Sequence, residues 1–141
     1  MIPSIDRVDH IHIFVTNREQ AQAWYASVMG LKANPDLIHR ADYDGPLTIG
    51  DDAGTLHLAL FERPPQPCRT VIALGVSAME FLRWQRHLSE ALGQPMKAVD
   101  HKLSWSMYFS DPDGNPFEIT CYNYALLADV LNASKAGILT R

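Results

Sequence analysis

One arrangement of elements occurs twice in this chain, 61 positions apart, and it restricts the fold more than any single motif does. The first copy opens with VDHIHIFV, Val8 to Val15. Its alternation puts Ile11, Ile13 and Val15 on one side of a strand and His10, His12 and Phe14 on the other. Asn17 and Gln20 have the spacing of a capping box. Ala21, Trp24, Tyr25, Val28 and Met29 then recur at helical intervals until Gly30. Short strands are expected at Ala33–Ile38 and Leu47–Gly50, and a longer one at Thr55–Phe61. In the last, His57, Ala59 and Phe61 oppose Leu56, Leu58 and Leu60. RPPQPCR, Arg63 to Arg69, holds three prolines and is a connector. The second copy follows: a strand at Val71–Val76 and a capping box at Ser77 and Glu80. A helix through Phe81, Trp84, Leu88 and Leu92 stops at Gly93, and an edge strand follows at Met96–Val99. Val15 and Val76, His57 and Glu118, and Phe61 and Tyr122 are each separated by 61, and the same step carries His10 to Val71.

The second copy closes with SWSMYF, a turn at SDPDGNP, and FEITCY. Pro112 presets a turn angle and Gly114 supplies positive φ, so Ser104–Tyr122 is a β-hairpin. Glu118 lies between Phe117 and Ile119 and faces away from both, on the side of Tyr122. The expected fold class is therefore α+β: tandem βαβββ modules forming a curved mixed sheet around a trough. Residues 1–141 make one domain, with module 1 at about 6–62, a connector at 63–69, module 2 at about 70–123, and a C-terminal helix at 124–135. The helices cover the leucine and isoleucine faces, so the trough receives the four equivalent positions His10, His57, Val71 and Glu118. Two imidazoles and a carboxylate on a rigid concave surface are nitrogen and oxygen ligands for a divalent metal. Trp24, Trp84 and Trp105 are expected in the core by spacing or parity, and His39 and His87 toward solvent.

Composition excludes several classes. A net charge of −4 disfavours nucleic acid. No apolar run approaches a membrane span of about 18 residues, and MIPSIDRVDH lacks the form of a signal peptide. The two cysteines, Cys68 and Cys121, have no metal or redox spacing, which fits a reducing cytoplasm.

VDHIHIFVTN, WYASVMGL and above all YFSDPDGNPFEI resemble the vicinal oxygen chelate superfamily, over roughly residues 6–123. That group includes glyoxalase I, fosfomycin-resistance transferases, extradiol ring-cleaving dioxygenases and bleomycin-resistance proteins. The resemblance implies paired βαβββ modules and metal-facing positions at His10, His57, Val71 and Glu118. Many metal-dependent members carry histidine where this chain has Val71, which cannot ligate. The three-ligand set left, His10, His57 and Glu118, suits Fe2+ first, with Mn2+, Ni2+ or Zn2+ as alternatives. Asp100–His101 and Tyr108 resemble the ring-cleaving branch, which implies that Tyr108 binds a substrate oxygen and His101 serves as acid or base. Parity puts Tyr108 on the face of Ser106, while His12, Val71 and Tyr122 line the trough.

Three functions are compatible with this pattern. The first is a metal-dependent enzyme acting on a small substrate with vicinal oxygens, such as an aromatic diol. The second, which Val71 favours, is a metal-free protein that sequesters a small molecule or drug. The third is a glyoxalase-like lyase. The resemblance also implies a homodimer.

Overall fold

The computed structural model describes residues 1–133 and 138–140; the expected end of the last helix at 134–135 lies outside them, as do the side chains of His39, Arg40, Tyr43 and 138–140. The chain forms two compact units, residues 1–66 and 67–141. Each has its own sheet and its own covering helix.

In unit 1, β1 (Ile11–Val15), β2 (Lys32–Ala33), β3 (Leu47–Gly50) and β4 (His57–Glu62) form a sheet in the order β1-β4-β3-β2. β1 runs parallel to β4, and the other pairs are antiparallel. The capping signal read from the sequence is made: the Asn17 side chain accepts from the Gln20 N–H at 2.9 Å and opens α1 (Arg18–Met29). Gly30 ends it at φ 69°, where a side chain would be strained. Ala21, Tyr25, Val28 and Met29 are buried on the face α1 turns to β2 and β4. Ile13, Val15, Leu58 and Leu60, the alternation face expected from sequence, are buried as well.

In unit 2, β5 (Ile72–Gly75), β6 (Ala98–Asp100), β7 (Trp105–Ser110), β8 (Pro116–Cys121) and β9 (Ile138–Thr140) form a sheet in the order β5-β8-β7-β6-β9. The Ser77 hydroxyl caps α2 (Ala78–Leu92), which packs on β8. Trp105, Phe81, Phe117, Met107 and Ile119 are wholly buried. Each such side chain contributes roughly 1.5–3 kcal/mol of burial. α3 (Tyr124–Ala133) follows the sheet.

Four expectations need correction. Residues 35–43 are not strand: Pro35–Tyr43 is a 3-10 helix, because the Asn34 side chain accepts from the Asp36 N–H and Pro35 fixes the first helical φ. Trp24 and Trp84 are only half-buried, standing edge-on to Tyr25 and His87, because Tyr25 and Phe81 occupy the inward positions. β9, paired parallel to β6, was not expected. Finally, the repeat keeps its facing but not its register. Ile13 lies opposite Leu60, so a step of 61 would set Leu74 opposite Cys121; Leu74 in fact lies opposite Ile119. A two-residue slip leaves side chains on the same face. It sets Ala73, not Val71, opposite Glu118.

Candidate functional site

In unit 1 the face of the sheet away from α1 carries His12 and Phe14 from β1, His57, Ala59 and Phe61 from β4, and Thr48 and Gly50 from β3. The β1–β4 register pairs Ile11 with Leu58, so one step back sets His10 beside His57. Both line a cavity of about 200 Å³ with Asp9, Asn34, Leu37 and Thr48.

His10 is tied down from behind. Asp9 Oδ2 lies 2.7 Å from His10 Nδ1, and its other oxygen accepts from Arg7 at 3.1 Å. The His10 hydrogen bond holds the Asp9 carboxyl below its ordinary range, against a smaller opposing effect of desolvation and with help from Arg7. An ionised Asp9 requires the proton on Nδ1, which leaves Nε2 of a neutral His10 as a bare donor. His10 Nε2 lies 3.2 Å from His12 Nε2, and the two rings stack with centroids 5.1 Å apart. Phe61 supports His12 at 4.7 Å.

His57 owes its place to a missing side chain. Gly50 lies opposite it, and a Cβ there would stand 2.8 Å from His57 Cδ2 and 2.9 Å from the Leu56 carbonyl. The imidazole sits in a cradle that only glycine leaves open.

In unit 2 the corresponding face carries Ser106 and Tyr108 from β7 and Glu118 and Thr120 from β8, with Ser106 opposite Thr120 and Tyr108 opposite Glu118. Ser106 Oγ, fully buried, donates to Glu118 Oε1 at 2.6 Å. That spends its only proton, so the Thr120 hydroxyl, 3.1 Å away, donates to Ser106 or to the Trp105 carbonyl at 3.4 Å. His101 Nε2 and Tyr108 Oη share a hydrogen bond of 2.9 Å, and Tyr108 is 40% exposed, open to a ligand.

Asp100 shapes the loop that carries His101. Its carboxylate accepts from the Lys102 N–H at 2.7 Å and from the Tyr124 hydroxyl at 3.0 Å. Burial pushes its carboxyl up, but the Lys102 backbone, the Tyr124 hydroxyl and the Lys102 ammonium outweigh that and leave it below the ordinary range. The hairpin turn is held in the same way: Asp111 Oδ1 accepts from the Asp113 and Asn115 N–H groups, and Gly114 takes φ 85°.

The sequence-derived residues thus fall into two groups. His10, His12 and His57 gather on one face of unit 1, and Tyr108, His101 and Glu118 on one face of unit 2. Val71 and Tyr122 are exposed, at 44% and 78%. Among the described residues, no three His, Cys, Asp or Glu side chains are grouped closely enough to hold a metal ion. Within unit 1 the donor chemistry nevertheless suits a divalent cation: imidazole nitrogens, one pair 3.2 Å apart, and a histidine cradle at Gly50. Sequence reasoning missed Asp9 and Gly50 and gave Ser106 only as a marker of facing. Parity could have promoted Ser106, whereas Gly50 is visible only once the β3–β4 register is known.

Comparison with known proteins identifies the class. A family model of the Glyoxalase/Bleomycin resistance protein/Dioxygenase superfamily matches residues 7–119, and the chain belongs to that superfamily. No curated protein matches in sequence. Among solved structures, the chain is similar to a glyoxalase family protein from Bacillus anthracis, with a TM-score of 0.66 and 19% identity over 87% of this chain and 100% of that one. It is also similar to the fosfomycin resistance protein of Listeria monocytogenes in complex with Mn(II) and sulfate, with a TM-score of 0.62 and 16% identity over 90% and 98%. A third is the lactoylglutathione lyase of Agrobacterium tumefaciens, with a TM-score of 0.59 and 22% identity over 84% and 96%. At these identities the likeness is one of fold.

Proposed function

We propose that this chain is a metal-dependent enzyme acting on a small substrate with vicinal oxygens, with His10, His57 and Glu118 as ligands and Fe2+ the favoured ion. The observation that carries this reading is the His101–Tyr108 hydrogen bond, on the face of the sheet where Tyr108 lies opposite Glu118. A bound divalent ion supplies Lewis-acid stabilisation of charge on the substrate oxygens. Tyr108 Oη meets a substrate hydroxyl and hands its proton to His101 Nε2, or takes one from it. Ser106 keeps the Glu118 carboxylate oriented. An aromatic diol suits this pair, because both its oxygens carry protons to be removed.

Val71, which has no ligating atom, favours a second reading, a metal-free small-molecule or drug-binding protein. Nothing in the residues themselves favours a glyoxalase-like lyase. The free thiols of Cys68, exposed, and Cys121 support a cytoplasmic location, and among the described residues no helix is long and apolar enough to cross a membrane. The exposed Leu126 and Val130 of α3 support a homodimer.

Metal analysis of protein purified without chelator separates the first two readings. We expect about one divalent ion per chain, lost in His57→Ala, and oxygen uptake with a catechol panel. Tyr108→Phe and His101→Ala should keep the metal and lower kcat by about 10²–10⁴. Metal-free protein that binds small aromatic ligands unchanged would establish the second reading instead.

A further inference from the structure

On the metal-dependent reading above, His12 has been given no role beyond lining a wall. We infer that His12, on β1, is itself a metal ligand, closing a two-nitrogen chelate with His10, the residue immediately before that strand.

The argument begins with the strand. Residues two apart on a strand project from one face about 6.6 Å apart. His10 and His12 do not stay at that spacing: their centroids are 5.1 Å apart, their planes are tilted by 22°, and their Nε2 atoms are only 3.2 Å apart. The ring tips are closer than the ring centres, so the two nitrogens converge toward a point in front of the sheet. Around an ion with metal–nitrogen bonds of about 2.0–2.1 Å, neighbouring nitrogens stand about 2.9 Å apart in an octahedron and about 3.4 Å apart in a tetrahedron. The observed 3.2 Å lies between these values.

Both rings are braced from behind. Asp9 holds Nδ1 of His10 at 2.7 Å, which directs the Nε2 donor outward. Phe61 lies against His12 at 4.7 Å. Neither ring is buried, so a cation reaches the pair without opening the fold.

The experiment uses the full chain and Co(II) alone as the probe, read by its d–d absorption during titration. Wild type should bind Co(II). His12→Ala, and His12→Phe, which keeps a ring against Phe61, should bind at least about tenfold more weakly. Both should also show displaced d–d bands, which a merely supporting histidine would not cause. His87→Ala, an exposed histidine on α2, serves as the control and should change neither property. If His12→Ala and His12→Phe keep the affinity and band positions of wild type while His57→Ala weakens binding, His12 is a hydrogen-bond partner of His10 and the inference fails alone. If wild type binds neither Co(II), Zn(II) nor Mn(II), the metal-dependent reading fails and this assignment with it.

Discussion

Gly50 shows how much of this site depends on single atoms. Its backbone is free of positive φ strain, so the only obstacle to alanine is space. One added Cβ would lie 2.8 Å from the His57 ring and 2.9 Å from the Leu56 carbonyl, and the second of these is backbone. The ring can swing away, but the carbonyl cannot move without disturbing the β3–β4 ladder. Gly50→Ala should therefore cost about 1–3 kcal/mol of stability. It should also weaken Co(II) binding by about tenfold, because the displaced imidazole is a proposed ligand. Urea denaturation and metal titration of the same sample check both; unchanged binding would remove His57 from the ligand set. At this scale the sequence was informative about facing and silent about partners. Alternation put His12, His57, Tyr108 and Glu118 on the faces opposite the buried Ile13, Leu58, Met107 and Ile119 of their strands, while His10 falls just before β1. It could not show that Ser106 spends its proton on Glu118, or that Asp9 fixes the His10 tautomer, because those bonds depend on register and rotamer.

At the scale of elements, capped helices were readable and short irregular ones were not. Asn17 with Gln20 and Ser77 with Glu80 mark helix starts by local hydrogen bonding, and both caps form. Asn34, Pro35 and Asp36 form a start signal of the same kind, but the apolar residues after them are too few to set a period, so a strand was expected where a 3-10 helix forms. The two-residue register slip in unit 2 was equally hidden, since a shift of two leaves every facing unchanged. α3 is attached through a contact that can be titrated. Trp105 Nε1 donates to the Tyr124 carbonyl at 3.2 Å, the two rings stack at 5.4 Å, and the Tyr124 hydroxyl donates to Asp100. The Asp100 carboxyl is lowered in the folded chain, so its contribution is fully present above the unfolded value and is lost as pH falls through the folded one. Wild type should thus exceed Asp100→Asn in stability at neutral pH by about 1–3 kcal/mol. The two should converge as pH drops below about 4. Melting curves from pH 7 to 2 test this; a gap that does not narrow below pH 4 would mean that the loop, not the charge, sets the difference.

For the whole molecule, the duplication was the most legible feature, because it rests on periodicity repeated over long segments rather than on any one residue. The result is two units with separate cores, residues 1–66 and 67–141, and a connector whose residues 64–70 are exposed and outside any strand or helix. That predicts where a protease acts first. Trypsin needs Lys or Arg in a segment that can adopt an extended shape in its cleft, and exposed backbone without ladder hydrogen bonds provides one. Arg63 precedes Pro64 and resists cleavage, and Lys102 is pinned by Asp100. Arg69 is exposed and followed by Thr70, and Arg7 lies in the exposed segment before β1. Brief digestion at low trypsin should therefore cut first after Arg7 and Arg69, giving fragments that begin at Val8 and Thr70. Each core lies on one side of the Arg69 cut, so the far-UV circular dichroism of the nicked protein should match that of the intact chain. First cuts inside α1 or α2, at Arg18, Arg83 or Arg86, would show instead that a helix opens more readily than the connector and that the two cores are not the stable parts of this chain.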